Sequence, residues 1–254
     1  MNLKKLAAWT VAVGAPAIAL ATPAMAQFVG TLLNPVVTSW IESEVEEVDN
    51  LTVEIQGSDQ QIVNGTIPSA SVAGENLLYE GFRITQVQLD GENIRLNVGE
   101  AIQGSQLRLL DPVPVQVQMR LTEADLNQSL QSPLIQSQLA QANVELPIGG
   151  SSVPFRISDP KVTLLEDTLQ IDASVATSDG TPVPITVATG VRAQNGSELV
   201  LLDPSWLSEG QTIPIDGLNN MAIDFGSEVK IDSLQLQEGA ILYAGKLTIR
   251  PENL

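Results

Sequence analysis

From Phe28 to Val48, apolar residues stand at positions 28, 29, 32, 33, 36, 37, 40, 41, 45 and 48, the spacing of one helical face. The pattern predicts a long amphipathic N-terminal helix with a break near Asn34-Pro35, where Asn can cap and Pro can open a first turn. Its last turns carry Glu42, Glu44, Glu46, Glu47 and Asp49. These acids oppose the helix dipole, so packing of the apolar face must hold the helix.

From Leu51 the period falls to two. Leu51, Val53 and Ile55 alternate, as do Ile94, Leu96 and Val98, and then Val113, Val115, Val117, Met119 and Leu121. Between Phe82/Ile84 and Val87/Leu89 the phase slips by one residue, which predicts a β-bulge at Thr85-Gln86. Asp90-Gly91 reads as a hairpin turn. Thr122-Glu123-Ala124-Asp125 reads as a capping box opening a helix with Leu126 and Leu130 on one face. Ser132-Pro133 kinks that helix, and Leu134, Ile135 and Leu139 carry the stripe to about Ala142.

Strand patterns resume at Val153-Phe155-Ile157, at Val162 and Leu164, and at Leu169, Ile171, Ala173 and Val175, with turn signals at Asp159-Pro160, Asp179-Gly180 and Asn195-Gly196. Asp216 to Gly226 predicts a short helix over 217–225, and the chain from Val229 to Ile249 returns to strand. The runs 87–96, 162–171 and 234–243 resemble one another, as recurring hairpins or as copies left by an internal duplication. The fold class is therefore α+β: a mainly antiparallel sheet, with the long N-terminal helix and the kinked central helix packed on it.

Composition narrows the chemistry. The 254 residues include no Cys and no His. That removes disulfides, thiolate nucleophiles, Ser-His-Asp triads and the usual zinc sites. Twelve Lys and Arg against 30 Asp and Glu give a net charge of −18. Such a surface repels phosphate backbones, so nucleic acid is not an expected partner.

Residues 1–26 place Lys4 and Lys5 before an apolar stretch from Leu6 to Ala21, followed by Ala24-Met25-Ala26. This is the layout of a cleavable secretory signal; an uncleaved membrane anchor is the alternative reading. The expected organisation is a signal peptide at 1–26 and one domain over 27–254, exported to the periplasm or cell envelope.

Motifs that resemble chemistry fail on context. Ser158-Asp159-Pro160-Lys161 matches Ser-x-x-Lys, but Pro160 lies between strand runs where a helix start is needed. Asp224-Phe225-Gly226 matches the kinase magnesium tripeptide without the rest of that signature and is expected to be a helix end. The acids from Glu42 to Asp49 are spread round a predicted helix, not converged for a metal. No metal site or cofactor is expected.

The run Leu121-Thr122-Glu123-Ala124-Asp125-Leu126-Asn127-Gln128-Ser129-Leu130, with Ser132-Pro133-Leu134-Ile135, resembles the LmeA-like family of secreted bacterial proteins. An exported N-terminal amphipathic helix and a closing hairpin around Leu236, Gly239 and Ile241 complete the resemblance, which covers roughly 28–250. The resemblance implies a fold similar to tubular lipid-binding domains, with helices lying along a strongly curved sheet that encloses an apolar groove or tunnel. It also implies a binding protein, not an enzyme, and supplies no catalytic residue.

On that reading the protein binds or carries lipid acyl chains, from phospholipid or neutral glycolipid, and contacts a membrane transiently. The alternative is a structural or scaffold β-protein that binds an envelope protein partner through exposed strand edges. Candidates for the wall or mouth of a lipid site are Phe28, Leu32, Val36 and Trp40 on the first helix and Leu126, Leu130, Leu134 and Leu139 on the central one. Residues 27–82 contain nine acids and no Lys or Arg. Acyl chains are therefore expected to supply most of the affinity, and neutral or zwitterionic lipids to bind at least as well as anionic ones.

Overall fold

The computed structural model describes residues 34–101, 105, 108–141, 144–148, 151–176 and 182–251; side chains at 35, 36, 40, 44, 101, 138–141, 144–148 and 151–157 are not described. The predicted export segment, with Phe28 and Leu32, lies outside the described residues, as does Asp179-Gly180.

Strand dominates, with 17% of the chain helical. The first half runs α1 (Asn34–Glu44), β1 (Glu47–Gln56), α2 (Asp59–Val63), β2 (Thr66–Tyr79), β3 (Phe82–Arg95), α3 (Val98–Ala101) and β4 (Val113–Thr122). Two helices follow, α4 (Glu123–Leu130) and α5 (Pro133–Gln141). The second half is β5 (Val144–Ile148), β6 (Ser151–Leu165), β7 (Thr168–Ala176), β8 (Pro182–Gln194), β9 (Glu198–Ser208), β10 (Gln211–Pro214), β11 (Ala222–Asp224), β12 (Val229–Gln237) and β13 (Ala240–Ile249).

These strands form two strongly curled antiparallel sheets. A six-stranded sheet has the order β1-β2-β3-β4-β13-β12, so the C-terminal hairpin is added to the N-terminal meander. A seven-stranded sheet has the order β10-β9-β8-β7-β6-β5, with β11 also paired to β9. Its two margins approach each other, since β5 comes into contact with the 3-10 turn Asp216–Leu218 that follows β10.

Three core clusters lie in the six-stranded sheet, and Leu164, Ala173, Val175 and Val200 of the seven-stranded sheet are buried as well. Val113, Val115 and Val117 of β4 are buried against Leu89, Tyr243, Leu247 and Ile249, while Val45, Leu77, Ile84 and Leu121 form a second cluster at the end covered by α4. Ile62 and Ile67 make a third, beneath α2. The helix α2 opens with a full capping box, Ser58 and Gln61 bonding each other's backbone.

Several sequence expectations are corrected. The helical pattern does not continue to Val48: α1 ends at Glu44 and β1 begins at Glu47. Like charges and an opposing dipole weaken a helix through Glu44-Val45-Glu46-Glu47. The extended chain instead lets the Glu46 Oε1 accept from Gly81 N–H at 3.1 Å and Glu47 pair with Arg83 at 2.8 Å. The central segment is two separate helices and not one kinked helix. Pro133 cannot donate to the preceding turn, so α4 ends, and the Ser132 hydroxyl caps α5 by accepting from Ile135 N–H at 3.4 Å.

The β2–β3 register passes Thr85-Gln86 without a shift, so no bulge forms there; the irregularity sits across from it, where Asn76 takes φ 49°. Asp90-Gly91 is no hairpin turn. Both residues are paired on two sides, Asp90 with Ser71 and Gln116 and Gly91 with Ala70 and Val115, and turning there would break both ladders. Asp159-Pro160 is a bulge inside β6, with Asp159 at φ 51° and the register shifting between Ser158 and Lys161.

The expected helix over 217–225 is a single 3-10 turn followed by β11. Its backbone is claimed by the edge of β9: Leu201 N–H donates to Met221 O at 3.1 Å and Asn220 N–H to Leu201 O at 3.0 Å. Asp224-Phe225-Gly226 is accordingly a strand end, where the Asp224 Oδ1 accepts from Gly226 N–H at 2.8 Å. Asn195-Gly196 is the tight turn its sequence predicts, with φ 52° and 80°.

Candidate functional site: an apolar sheet face and the joint that sets it

The two sheets meet end-on. Hairpin tips of the seven-stranded sheet run into β12, the margin of the six-stranded one: Ile231 N–H donates to Gly196 O at 2.5 Å, Asp167 N–H to Leu236 O at 3.4 Å and Gly239 N–H to Leu164 O at 3.0 Å. Two of the three echoing runs, 162–171 and 234–243, are hairpins that interlock at their turns. The third run lies inside β3.

Helix α4 fastens the joint from the side. The Asn127 amide donates to Val162 O and accepts from Val162 N–H, both at 2.7 Å, so one side chain stands in for a neighbouring strand. The Glu123 Oε2 accepts from Leu164 N–H at 2.8 Å. At the other end, the Ser129 hydroxyl accepts from Arg83 N–H at 2.8 Å, and Leu126 packs into the cluster of Leu77 and Leu121.

The capping box expected at Thr122 is altered to suit. The Thr122 hydroxyl accepts from Asp125 N–H at 3.3 Å, but Thr122 N–H donates to the Thr85 hydroxyl at 3.0 Å, and the Asp125 carboxylate accepts from both hydroxyls. The most specific run in the sequence thus joins the two sheets.

Beyond this joint the seven-stranded sheet presents an apolar face. Directly opposed residues of antiparallel strands share a face. The register therefore places Val162, Ile171, Val187, Trp206 and Ile213 in one row across β6, β7, β8, β9 and β10. Flanking rows add Leu164, Leu169, Ala173, Ile185, Val175 and Val183 on the same side. The opposite face carries Thr163, Gln170, Asp172, Ser174 and Thr186, with Asp172 accepting from Thr186.

Exposure rises along the central row. Val162, Ile171 and Val187 are half-buried, whereas Trp206 is 37% and Ile213 41% exposed. Four steps at the usual strand spacing make the row about 19 Å long. A run of this length with an open end suits a flexible hydrocarbon chain.

The sequence-derived candidates are distributed differently. Val36 and Trp40 lie on α1, which packs on β1, and Leu139 lies on α5. Leu126 is in the core cluster, Leu130 is half-buried, and Leu134 is 42% exposed. Both α4 and α5 contact β6, where the apolar row begins. Leu126 and Leu130 share the helix that fastens the joint, but Leu126 packs into the core of the six-stranded sheet. Periodicity in the helices drew attention away from β8 to β10, although Val183, Ile185 and Val187 alternate and Trp206 is one of only three tryptophans.

Electrostatics here are those of an acidic shell. Ion pairs such as Arg83–Glu47, Arg95–Asp111 and Arg108–Glu100 lie at least partly in solvent and contribute little each. Among the described residues no group of three or more carboxylates is placed to hold a metal ion, and no helix is long and apolar enough to cross a membrane. The Tyr243 phenol is pushed above its ordinary value, first by burial between β4 and β12 and then by the nearby Asp232 charge.

The protein is thus one of curled antiparallel sheets pinned by short helices, with one apolar face left half-open. A family model described as LmeA-like phospholipid-binding matches residues 24–246. The chain belongs to that family, and its membership points to lipid binding. Comparison with curated proteins and with solved structures finds no match.

Proposed function

We propose that this is an exported cell-envelope protein that holds phospholipid acyl chains against the apolar face of the seven-stranded sheet and exchanges them with a membrane. The observation that carries the reading is the row Val162, Ile171, Val187, Trp206 and Ile213, apolar across five strands and increasingly open toward β10. Transfer of hydrocarbon gains about 0.8 kcal/mol per buried CH₂, so one long chain supplies ample gross affinity before ordering costs.

Export rests on the basic start, apolar run and Ala24-Met25-Ala26 of the N-terminal segment. N-terminal sequencing of protein recovered from the envelope is expected to begin at Gln27. With acids in large excess, headgroup charge adds no attraction, and neutral or zwitterionic lipids bind at least as well as anionic ones.

The test is organic extraction of the purified protein followed by mass spectrometry. About stoichiometric phospholipid is expected, reduced severalfold in Ile171→Asn with an unchanged circular dichroism spectrum. Protein that comes out empty and takes up no lipid from detergent micelles overturns the reading. A strong preference for anionic lipid that disappears in high salt overturns the headgroup argument.

A further inference from the structure

We propose that the margin formed by Trp206, Ile213, Met221 and Ile223 docks directly on a zwitterionic phospholipid bilayer, as the lip across which chains enter. This rests on the acyl-chain reading for its purpose, although its own test is separate.

Trp206 opposes Ile213, and Ile223 opposes Leu199, which the register shift in β9 leaves on the same face as Trp206; Met221 stands two residues before Ile223, its O accepting from Leu201 N–H. The chain from Gln211 to Asp224 therefore runs along the whole free edge of β9, and its apolar side chains gather at one margin of the sheet. They are among the most exposed large apolar residues described, Met221 at 46% and Ile223 at 42%. Large apolar side chains exposed along one margin mark a surface that is covered in use.

Charge decides what covers it. Residues 193–229 contain six acids and no Lys or Arg. A second copy of a chain carrying −18 would bring like charges together at this margin, and an anionic leaflet would do the same. A neutral headgroup layer has no such cost, and a tryptophan at the rim is well suited to the boundary between headgroups and hydrocarbon. The patch is also continuous with the central row, since Trp206 and Ile213 are its last two members.

The test uses the purified protein with vesicles of phosphatidylcholine alone and of phosphatidylcholine mixed with phosphatidylglycerol. Co-sedimentation with the neutral vesicles is expected, insensitive to salt and no stronger with the anionic mixture. Replacing Met221→Asp together with Ile223→Asp is expected to lower vesicle binding and the rate of lipid uptake from vesicles roughly tenfold or more, as loss of two buried apolar side chains implies. Lipid loaded from detergent micelles is expected to stay at the wild-type amount in that variant.

A second measure does not depend on folding of the double variant: brominated phosphatidylcholine is expected to quench tryptophan emission, and the quenching to be lost in Trp206→Phe. Unchanged vesicle binding in the double variant, absence of quenching, binding confined to anionic vesicles at low salt, or concentration-dependent dimerisation that buries this margin would each overturn the proposal. Failure of the acyl-chain reading shows separately, as a protein that docks on vesicles but carries no lipid.

Discussion

The two sheets carry the same alternating pattern and put it to different use. In the six-stranded sheet the apolar side of β4 is closed over by its neighbours, leaving Val115 and Val117 at 6% and 5% exposure. In the seven-stranded sheet Leu164, Ala173 and Val175 of the apolar face are closed over too, but Ile171 and Val187 are half-buried and their row ends in the open at Ile213. The difference lies in what covers each face. Alternation makes a sheet apolar on one side, and only the surrounding elements decide whether that side becomes core or binding surface.

The comparison breaks most severely at Gly245 of the six-stranded sheet. A Cβ there would collide with Lys230 O, backbone that cannot swing away, and stand 2.5 Å from the Tyr243 hydroxyl. Gly245→Ala is expected to cost about 3 kcal/mol in chemical denaturation. The joint comes next. Asn127→Ala leaves Val162 N–H and C=O without their side-chain partner, with an expected cost of about 2 kcal/mol and faster hydrogen exchange at Val162.

A matched pair then tests the two faces directly. Val117→Thr buries a hydroxyl in a closed core and is expected to cost about 2 kcal/mol with no change in lipid carried per folded protein. Val187→Thr is expected to change stability by under about 0.5 kcal/mol while lowering the extracted lipid. Equal destabilisation by the two would show that the second face is also core.

Much of the fold could be read from period two, which located most of the β-strands and the Asn195-Gly196 turn. Local signals failed where long-range pairing outweighed them. Asp90-Gly91 has hairpin chemistry but lies between two partner strands, and 217–225 has helical spacing but lies along an unpaired edge of β9. The helix stripes correctly marked Leu126 as apolar and inward, yet no pattern on α4 reveals that Asn127 and Glu123 reach the β6 backbone. That role depends on a contact 35 and 41 residues away in the chain. The proposed binding face was the least legible part, because Val187 in β8 and Val117 in β4 look identical until their coverings are known.

The smallest effect concerns Tyr243, which lies on the closed face between Met119 and Leu234. Burial, reinforced by Asp232, raises its phenol above 10.0 in the folded protein, while the unfolded chain keeps the ordinary value. The folded state therefore holds this proton more tightly. Its contribution is fully present below pH 10.0 and is lost as pH rises past that value toward the folded pKa, because the unfolded state ionises first. Thermal midpoints are expected to stay level on this account up to the ordinary tyrosine pKa and then to fall more steeply in the wild type than in Tyr243→Phe. That substitution also removes the bond from the hydroxyl to Lys230 O, a long one at 3.3 Å, so at neutral pH it is expected to cost under about 1 kcal/mol. Identical alkaline slopes in the two proteins would mean that the phenol is already wet, and that the six-stranded face is more open than its buried valines imply.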